Sequence, residues 1–459
     1  MNPFVARTAP ALVLTLACLW PAAARAERCV DENRFDRGAA PAAAAAPATA
    51  ATPVASDPRT MLAGLVHDAI ERSHAVGAAR LLADAAQDDI AGERAARAVH
   101  ANFGAGFGPA GTTSLGTTAT SLAQANASVT VSQLLWDGGR TARLVDWRAQ
   151  LAQSAQFGQL SLQEQLALTT VALAIDRSRW RMTAQVWGDD VRKMGCLVDA
   201  LQDIVRTDRG RASELVQAQK SLQQAELAQA QTQSMVRQVE IRLRRLVGDG
   251  LPPAEGLATA FNGIPELQQL VADADRGADV AELGAQAAAA RRYAEAVEAG
   301  TRPQVSWNLS GATAAGAGGN VGSVHSSSYA VGLTVNIPLL DPGAEPAIGA
   351  ARKRAQAAAL QRADLIEAKR FRIAEVYEQT MDSMDRARRV AEVLRNSELV
   401  RSYTLQQWQQ MGKRSLFDVM AAESDHYAMR VAYVNALYDV QQLDANLLSL
   451  GRGVLDWLR

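Results

Sequence analysis

The sequence predicts a duplicated chain that is mainly α-helical and contains two pairs of β-strands. Three observations predict this fold class. Similar segments recur at a constant offset, since Asp137 and Asp341 lie 341 − 137 = 204 residues apart. Each half contains stretches that alternate between apolar and polar residues, which is typical of strands. Each half also contains long proline-free runs rich in Ala, Gln, Leu and Arg, which is typical of long helices.

The duplication is clearest where a predicted strand meets a predicted helix. The segment Val131-Ser-Gln-Leu-Leu-Trp-Asp-Gly-Gly139 has a counterpart in Val335-Asn-Ile-Pro-Leu-Leu-Asp-Pro-Gly343. The same offset joins Phe103 to Trp307. An offset this long indicates a repeated half-molecule rather than a solenoid with units of about 20–50 residues.

The N-terminus predicts export from the cytoplasm. Arg7 is followed by an apolar core at residues 11–20 and a small-x-small cleavage site at Ala24-Arg-Ala26. The apolar core is too short to span a bilayer, which argues against an N-terminal anchor. Cys18 raises the alternative of lipidation, although the preceding Thr-Leu-Ala fits a lipobox poorly.

The composition argues against several function classes. The net charge of −1 and the pI near 6.6 give no reason to expect nucleic-acid binding. No Cys/His cluster has the spacing of a metal site, and no nucleophile and base form a recognisable constellation. We therefore expect no enzyme, no cofactor and no metal.

Cleavage of the signal peptide would leave two cysteines, Cys29 and Cys196. An oxidising compartment would allow them to form a disulfide.

Each repeat contains a leading helix, two strands and two long helices. The run at 140–206 alone would make a rod of roughly 100 Å. The final helix of each repeat has a seven-residue period, typical of helices packed side by side. The predicted segments are a signal peptide (1–26), an Ala/Pro-rich segment (27–58), a first repeat (59–250; strands about 98–136, long helices about 140–247), a connection (251–264) and a second repeat (265–459; strands about 303–340, long helices about 344–450).

The predicted strands have two faces of different character. Residues 129–134 place Val, Val and Gln on one face and Thr, Ser and Leu on the other, and residues 305–310 alternate in the same way. An open sheet leaves its edge groups unsatisfied in a bilayer, so four strands need further chains to close a barrel. Three chains would supply 3 × 4 = 12 strands. The long helices would then lie in water, as in a conduit across a periplasm.

Several motifs occur together in a fixed order. They are the junction Gln133-Leu-Leu-Trp-Asp-Gly-Gly-Arg-Thr141 with its copy at 337–343, Arg302-Pro-Gln-Val-Ser306, and the hairpin ends Ala212-Ser-Glu-Leu-Val-Gln-Ala218 and Gly412-Lys-Arg-Ser-Leu-Phe-Asp-Val-Met-Ala-Ala422. In this order, with the duplication and the signal peptide, the chain from about Arg59 resembles the TolC family of outer-membrane efflux and secretion channels.

The resemblance implies a homotrimer with a 12-stranded β-barrel in the outer membrane of a Gram-negative cell. An α-helical barrel would continue into the periplasm and dock there on a periplasmic adaptor attached to an inner-membrane pump. The strand-to-helix junctions of the two repeats would obey one barrel geometry. Their residues are Asp137, Gly138, Gly139, Asp341 and Gly343.

The resemblance also implies that the hairpin ends close the channel. Arg414 would face Ser213 and Glu214. The alternative is that Glu214 and Arg414 are ordinary solvated charges at helix ends. The residues that would dock the adaptor are Gly210, Gly412, Lys413 and Ser415.

Asp418 matches the family's ring of acids at the channel mouth. The family commonly has a second acid one turn later, but that position is Ala421 here, and Glu423 lies on a different face. The alternative is that Asp418 is a helix-terminus acid, since Ser415 is a suitable N-cap and acids favour the first turn.

Aromatic residues occur near the ends of the predicted strands. They could form an aromatic belt at the membrane interfaces or pack subunits together. These residues are Phe103, Phe107, Trp136, Trp307 and Tyr329.

Within the channel class, the sequence favours type I secretion of a large protein, such as a toxin or adhesin, through an ABC transporter. The Asp-Gly-Gly-Arg junction and the poor lipobox resemble secretion members of the family more than its drug-efflux members. The alternative is the outer-membrane channel of a small-molecule efflux pump driven by protons. A periplasmic adaptor with a helical hairpin is a minor alternative, because it would have one hairpin and not two.

Overall fold

The computed structural model describes residues 57–112, 120–254, 256–261, 263–317, 323–411 and 414–459. The predicted signal peptide, residues 27–56 of the Ala/Pro-rich segment, Cys18, Cys29, Gly412 and Lys413 lie outside the described residues.

Helices dominate both halves of the chain. The first half contains α1 (Pro58–Arg72), α2 (His74–Ala95), β1 (His100–Thr112), β2 (Thr120–Trp136), α3 (Arg140–Thr207) and α4 (Ala212–Val247). The second half contains α5 (Leu267–Ala274), α6 (Ala278–Ala299), β3 (Gln304–Ala317), β4 (Ser323–Asn336), α7 (Ala344–Met411), α8 (Leu416–Leu450) and α9 (Val454–Leu458).

The elements recur at the predicted offset of 204 residues. α3 begins at Arg140 and α7 at Ala344, where 140 + 204 = 344, and both helices have 68 residues. α2 and α6 are related in the same way, since 74 + 204 = 278 and both have 22 residues. The duplication read from the sequence is therefore present in the secondary structure.

The leading helix of each repeat is interrupted, which the sequence pattern did not predict. Ser73 adopts an extended conformation between α1 and α2, and its Oγ accepts a hydrogen bond from the Val76 N–H at 3.3 Å. Serine at this position satisfies one of the free N–H groups of the new helix, which is the role of an N-cap. The apolar periodicity continues through Ser73 and therefore concealed the break.

The four strands form one antiparallel sheet in the order β1-β2-β3-β4. Both predicted hairpins are present, and β2 also pairs with β3 of the other repeat. The strands are longer than the alternating stretches, because β1 continues through Pro109 to Thr112 and β2 begins at Thr120. Within the described residues, β1 and β4 are each paired along one side only.

The chain divides into two compact units that do not follow the repeats. The first unit contains the described residues of Val171–Asn262 and Glu378–Asp444, together with residues 57–64. The second unit contains Leu65–Thr170, Gly263–Tyr377 and Ala445–Arg459, and therefore includes the whole sheet.

The core of the first unit is built along the helices. On α4, Ala218, Ala225, Thr232 and Val239 follow the predicted seven-residue period, and all four are buried. Near the hairpin ends, α3, α4, α7 and α8 share one apolar cluster. Its buried members are Met194, Leu197, Val198, Leu201, Ala218, Leu416, Val419 and Met420, with Leu405 and Trp408 packed against them.

The connection between the repeats is fixed to the helices of the first unit by polar contacts. Arg177 Nη1 donates to the Pro252 carbonyl at 2.6 Å, and Ser178 Oγ donates to the Ala254 carbonyl at 2.5 Å. Gln441 Oε1 accepts from the Phe261 N–H at 2.9 Å. Because the connection contains two prolines and no regular ladder, these side chains satisfy backbone groups that secondary structure would otherwise pair.

The short C-terminal helix α9 was not predicted. Glu164, on α3 within the second unit, accepts hydrogen bonds from the N–H groups of Val454 and Leu455 at the start of α9. Burial raises the pKa of Glu164 despite these two hydrogen bonds.

Among the described helices, none combines the length and the hydrophobicity that a membrane crossing requires.

Candidate functional site

The first strand-to-helix junction is organised by the Asp137 carboxylate. Its Oδ2 accepts from the Thr141 N–H at 2.6 Å and its Oδ1 from the Gly139 N–H at 3.1 Å. Burial opposes ionisation of Asp137, but the hydrogen bonds from Thr141 and Gly139 outweigh it and hold its pKa below the ordinary value. The carboxylate therefore caps α3 at the point where β2 ends.

Gly138 and Gly139 have left-handed backbone conformations, with φ of 64° and 87°. Arg302, which lies two residues before β3, passes directly over Gly138. A Cβ atom on Gly138 would lie 2.5 Å from the Arg302 Cβ, so only glycine fits. Arg302 Nη1 also donates to the Gly138 carbonyl at 2.9 Å.

The second junction is looser than the first. Asp341 Oδ1 accepts from the Gly343 N–H at 2.9 Å, as Asp137 does at the equivalent position, but Asp341 is exposed. Pro342 replaces Gly138, and Gly343 has no left-handed conformation. Proline fixes φ near −65°, so the second turn cannot copy the first.

The pairing register of the strands gives the sheet one mainly apolar face and one mainly polar face. Residues paired across antiparallel strands point to the same side, so each paired row belongs to one face. None of the four strands contains Asp, Glu, Lys or Arg. The apolar face includes Phe103, Phe107, Val129, Val131, Trp307, Leu309, Tyr329, Val331, Leu333 and Val335; the polar face includes Asn102, Asn126, Ser128, Thr130, Ser132, Ser306, Asn308, Ser310, Ser326, Ser328 and Thr334.

All five aromatic residues singled out in the sequence lie on the apolar face. Phe103, Phe107 and Tyr329 are largely exposed within one chain, with Tyr329 at 90%. Trp307 is half-buried and its Nε1 donates to Gln133 Oε1 at 3.0 Å. Trp136 reaches this face through a bulge, because Leu134 pairs with Ser306 and Trp136 with Val305.

At the end of the second hairpin, Arg414 contacts its own hairpin. Arg414 Nε donates to Gln407 Oε1 at 3.1 Å, and its Nη1 lies 4.0 Å from Asp418 Oδ2. Glu214, on the first hairpin, instead lies 4.0 Å from Arg211 Nη1. Within one chain the structure therefore does not bring Arg414 to Glu214 or to the exposed Ser213.

Ser415 and Asp418 form a reciprocal cap at the start of α8. The Asp418 N–H donates to Ser415 Oγ at 3.3 Å, and the Ser415 N–H donates to Asp418 Oδ2 at 3.2 Å. This is the capping-box arrangement with Asp in place of Glu. The helix-terminus alternative for Asp418 thus has a structural basis, although the cap leaves the carboxylate half-exposed.

The end of the first hairpin is capped differently. Asp208 Oδ1 accepts from the Gly210 N–H at 2.9 Å and starts a single 3₁₀ turn, residues Arg209–Arg211, that leads into α4. Gly210 and Ser213 are exposed. The two hairpin ends are therefore not copies of each other, as the sequence difference between them indicates.

Comparison with solved structures identifies the fold. CusC matches with a TM-score of 0.74 at 16% identity, over 89% of this chain and 99% of that one. The outer membrane protein VceC of Vibrio cholerae matches with a TM-score of 0.70 at 17% identity, over 85% and 96%. The open state of the Neisseria gonorrhoeae MtrE outer membrane channel matches with a TM-score of 0.71 at 16% identity, over 90% and 98%.

The chain has the TolC-family fold. No protein-family profile matches the sequence, and no curated protein matches it. The resemblance to the TolC family therefore rests on short motifs and the fold, at an identity where only the fold is conserved.

A buried charged layer inside this TolC-family fold was not predicted. Glu423 was predicted to lie on a different face of its helix from Asp418. It is fully buried between Lys193 of α3 and Arg401 of α7. Burial and the Glu423 carboxylate raise the pKa of the nearby Asp190 to about 7. The only sign of this layer in the sequence is that acidic residues occur at the spacing of core positions on a helix. Solvent-exposed helix faces show the same spacing of acidic residues, so the pattern does not predict burial.

Two further points concern the expected chemistry. Among the residues that the structure describes, no three His, Cys, Asp or Glu side chains are grouped so that they could hold a metal ion. Cys196 is disulfide-bonded. The two other cysteines of the sequence, Cys18 and Cys29, lie outside the described residues.

Proposed function

We propose that this protein is an outer-membrane exit channel that extends into the periplasm. The observation that supports it most strongly is the sheet, whose four strands have one mainly apolar face and one mainly polar face and contain no Asp, Glu, Lys or Arg. Strands of 13 to 17 residues are long enough to cross a bilayer, since about 9–11 residues suffice. The fold shared with solved outer-membrane channels supports the same conclusion.

The channel is a homotrimer in this proposal. One chain offers four strands with β1 and β4 each unpaired on one side, and lipid does not tolerate unpaired strand edges. Three copies give 12 strands and close the barrel. Helix α7 also exposes large apolar side chains that a neighbouring copy would cover, namely Leu360, Phe371, Val393, Val400 and Tyr403.

Trimerisation also gives the predicted gate residues their partners. In one chain Arg414 contacts Gln407 and Asp418, both in its own hairpin. In a ring of hairpins, the exposed part of its guanidinium would reach Ser213 and Glu214 of a neighbouring copy. Exposed pairs of this kind are worth about 0–1 kcal/mol each, so three would make a gate that adaptor binding could open.

The partners in this proposal are a periplasmic adaptor and an inner-membrane transporter. The adaptor docks on the hairpin ends at Gly210, Gly412, Lys413 and Ser415. The cargo proposal is type I secretion of a large protein with an ABC transporter, which the junction sequence Asp-Gly-Gly-Arg supports. Small-molecule efflux with a proton-driven pump is the alternative.

A matched pair of variants in β4 tests the channel proposal. Leu333 lies on the apolar face and Thr334 on the polar face, and both are exposed. An arginine on the lipid side of a barrel costs about 2–4 kcal/mol near the membrane midplane. We expect Leu333→Arg to abolish the heat-sensitive trimer in outer-membrane fractions and Thr334→Arg to preserve it. Equal assembly of both variants would contradict a lipid-facing apolar side.

Deletion of the gene tests the cargo proposal. Secretion predicts that a large protein disappears from the culture medium while drug sensitivity is unchanged. Efflux predicts the reverse. Neither result depends on the outcome for the Leu333 and Thr334 variants, so channel and cargo are tested separately.

A further inference from the structure

Two buried carboxyl groups lie on different helical hairpins of the first unit, and Lys193, one helical turn after the first of them, lies 3.8 Å from the second. Asp190 is on α3 of the first hairpin and is 3% exposed. Glu423 is on α8 of the second hairpin and is 0% exposed. Asp190 Oδ1 is buried and, within the described part of the chain, has no hydrogen-bond partner.

The cationic side chains near Asp190 form ion pairs with carboxylates other than that of Asp190. Lys193 Nζ lies 3.8 Å from Glu423 Oε1, and Arg401 Nη1 lies 3.5 Å from Glu423 Oε2. Arg401 also pairs with Glu398 at 2.7 Å, which in turn lies 3.2 Å from His426 Nε2. Ion pairs of Asp190 with a cation are absent from the described residues.

The charged and titratable groups around Asp190 come from three helices. Asp189 pairs with Arg430 at 3.1 Å and with Arg192, so these cations are also engaged. Helix α4 contributes Gln229, which is uncharged and lies against Gly188. Within the described part of the chain, the ionic and ring contacts of this region involve Asp189, Arg192 and Lys193 on α3, Glu398 and Arg401 on α7, and Glu423, His426, Tyr427 and Arg430 on α8.

A buried carboxylate without a donor or a cation is costly, and a neighbouring carboxylate raises the cost. Protonation removes that cost, because the neutral acid carries no charge toward Glu423. Burial, followed by the Glu423 charge, raises the pKa of Asp190 to about 7. Tyr427 stays neutral, since burial raises its pKa as well.

We propose that Asp190 is a proton-binding site that couples the contact between the two helical hairpins to the surrounding pH, which is the periplasmic pH on the basis of the proposed function. With the proton bound, Asp190 and Glu423 carry one negative charge and the hairpins pack firmly. Loss of the proton adds a second negative charge to this buried contact and weakens it. The ligand is a proton, and the site lies behind the hairpin ends rather than at them.

The direction of the pH effect follows from the two states of Asp190. A carboxyl with a raised pKa in the packed state binds a proton there that the separated state releases near pH 4. The packed state is therefore favoured at acidic pH. The advantage falls about tenfold for each pH unit between roughly 4 and 7, and it is constant at higher pH.

Infrared spectroscopy of the purified full-length protein tests the site without any channel assay. We expect a carbonyl band of a buried protonated acid that titrates with a midpoint near pH 7 and that is absent in Asp190→Asn. Asp444, which is also 3% exposed with its pKa raised by burial to about 7, gives a second component. Asp444→Asn must remove that component and leave the Asp190 component. If the band titrating near pH 7 is unchanged in Asp190→Asn, the proton is not on Asp190 and the proposal fails.

Hydrogen exchange measures the mechanical consequence. After correction for intrinsic exchange rates, opening of the α3 segment around residues 186–194 should become about tenfold more frequent for each pH unit between 5 and 7. Asp190→Asn should abolish this slope, while Asp203→Asn, an exposed aspartate on the same helix, should keep it. The same slope in all three proteins would overturn the coupling even if the proton site exists.

Discussion

Arg302 donates a hydrogen bond to the Gly138 carbonyl at 2.9 Å, so a residue just before β3 fixes the turn that ends β2. The contact joins the second repeat to the first. It also explains why the first junction contains glycine, since the Arg302 side chain occupies the space of any Cβ at residue 138. The second junction contains Pro342 instead, so the two copies of one motif have different constraints.

Gly138→Ala should destabilise the protein. The substitution forces a left-handed backbone on alanine and places a Cβ 2.5 Å from the Arg302 Cβ. We expect a loss of about 1–3 kcal/mol, measured by thermal unfolding followed by helical circular dichroism. Gly349→Ala is the control, because a Cβ on Gly349 in α7 meets nothing within 4 Å and alanine favours the helix. Equal stability of both variants would contradict the steric argument.

Asp137→Ala should cost more stability than Asp341→Ala. Asp137 is 3% exposed and accepts two backbone hydrogen bonds, whereas the exposed Asp341 accepts one. Loss of an N-cap side chain costs about 0.5–2 kcal/mol, and the buried Thr141 N–H would also lose its partner. Denaturant unfolding of the two variants should separate them, and an equal loss would show that the two junctions contribute equally.

The Asp137 contribution should also depend on pH. Its folded pKa lies below the ordinary value of 3.8, so the ionised form stabilises the fold. The contribution is complete above about pH 4 and is lost as the pH falls through the folded pKa. The stability difference between the wild-type protein and Asp137→Asn should therefore shrink below pH 4. A difference that stays constant to lower pH would show that the charge of Asp137 is not involved.

The sequence predicted those features that depend on local pattern. The junction aspartates, the alternating strand faces and the long helices all have a short-range signature. The break at Ser73 was hidden because apolar periodicity continues through it, and the bulge at Leu135 was hidden because it changes the register by one residue without changing composition. The contact of Arg302 with Gly138 and the burial of Asp190 beside Glu423 join residues more than 160 positions apart. Such contacts leave no pattern in a single sequence.

Glu240→Gln should be strongly destabilising. Glu240 is 12% exposed and accepts from Arg177 Nε at 3.1 Å and Arg181 Nη2 at 2.7 Å. Burial opposes its ionisation, but the two arginines hold its pKa below the ordinary value. Removing one partner of a buried pair costs about 3–5 kcal/mol, because Arg177, at 6% exposed, would keep an uncompensated charge.

Loss of the Glu240 charge should also loosen the connection between the repeats, since Arg177 holds the Pro252 carbonyl. Limited proteolysis around residues 249–260 should detect this. Asp203→Asn removes an exposed partner of Arg206 and should cost no more than about 1 kcal/mol, with unchanged proteolysis. Similar effects of the two substitutions would show that burial does not set the energy of these pairs.

Arg414→Ser should raise the single-channel conductance of the purified protein in planar bilayers. The reason is that Arg414 is half-exposed while it contacts Gln407 and Asp418 of its own hairpin, so the exposed part of its guanidinium is available for Ser213 and Glu214 of a neighbouring copy. Arg206→Ser is the control for charge and should leave conductance unchanged. It removes an equal charge near the end of the first hairpin, where Arg206 lies at the end of α3 and pairs with the exposed Asp203.

Ser415→Ala separates the gate from the helix cap, because it removes one hydrogen bond at the start of α8 and keeps Arg414. Higher conductance in Ser415→Ala but not in Arg414→Ser would assign the effect to helix fraying and contradict the gate.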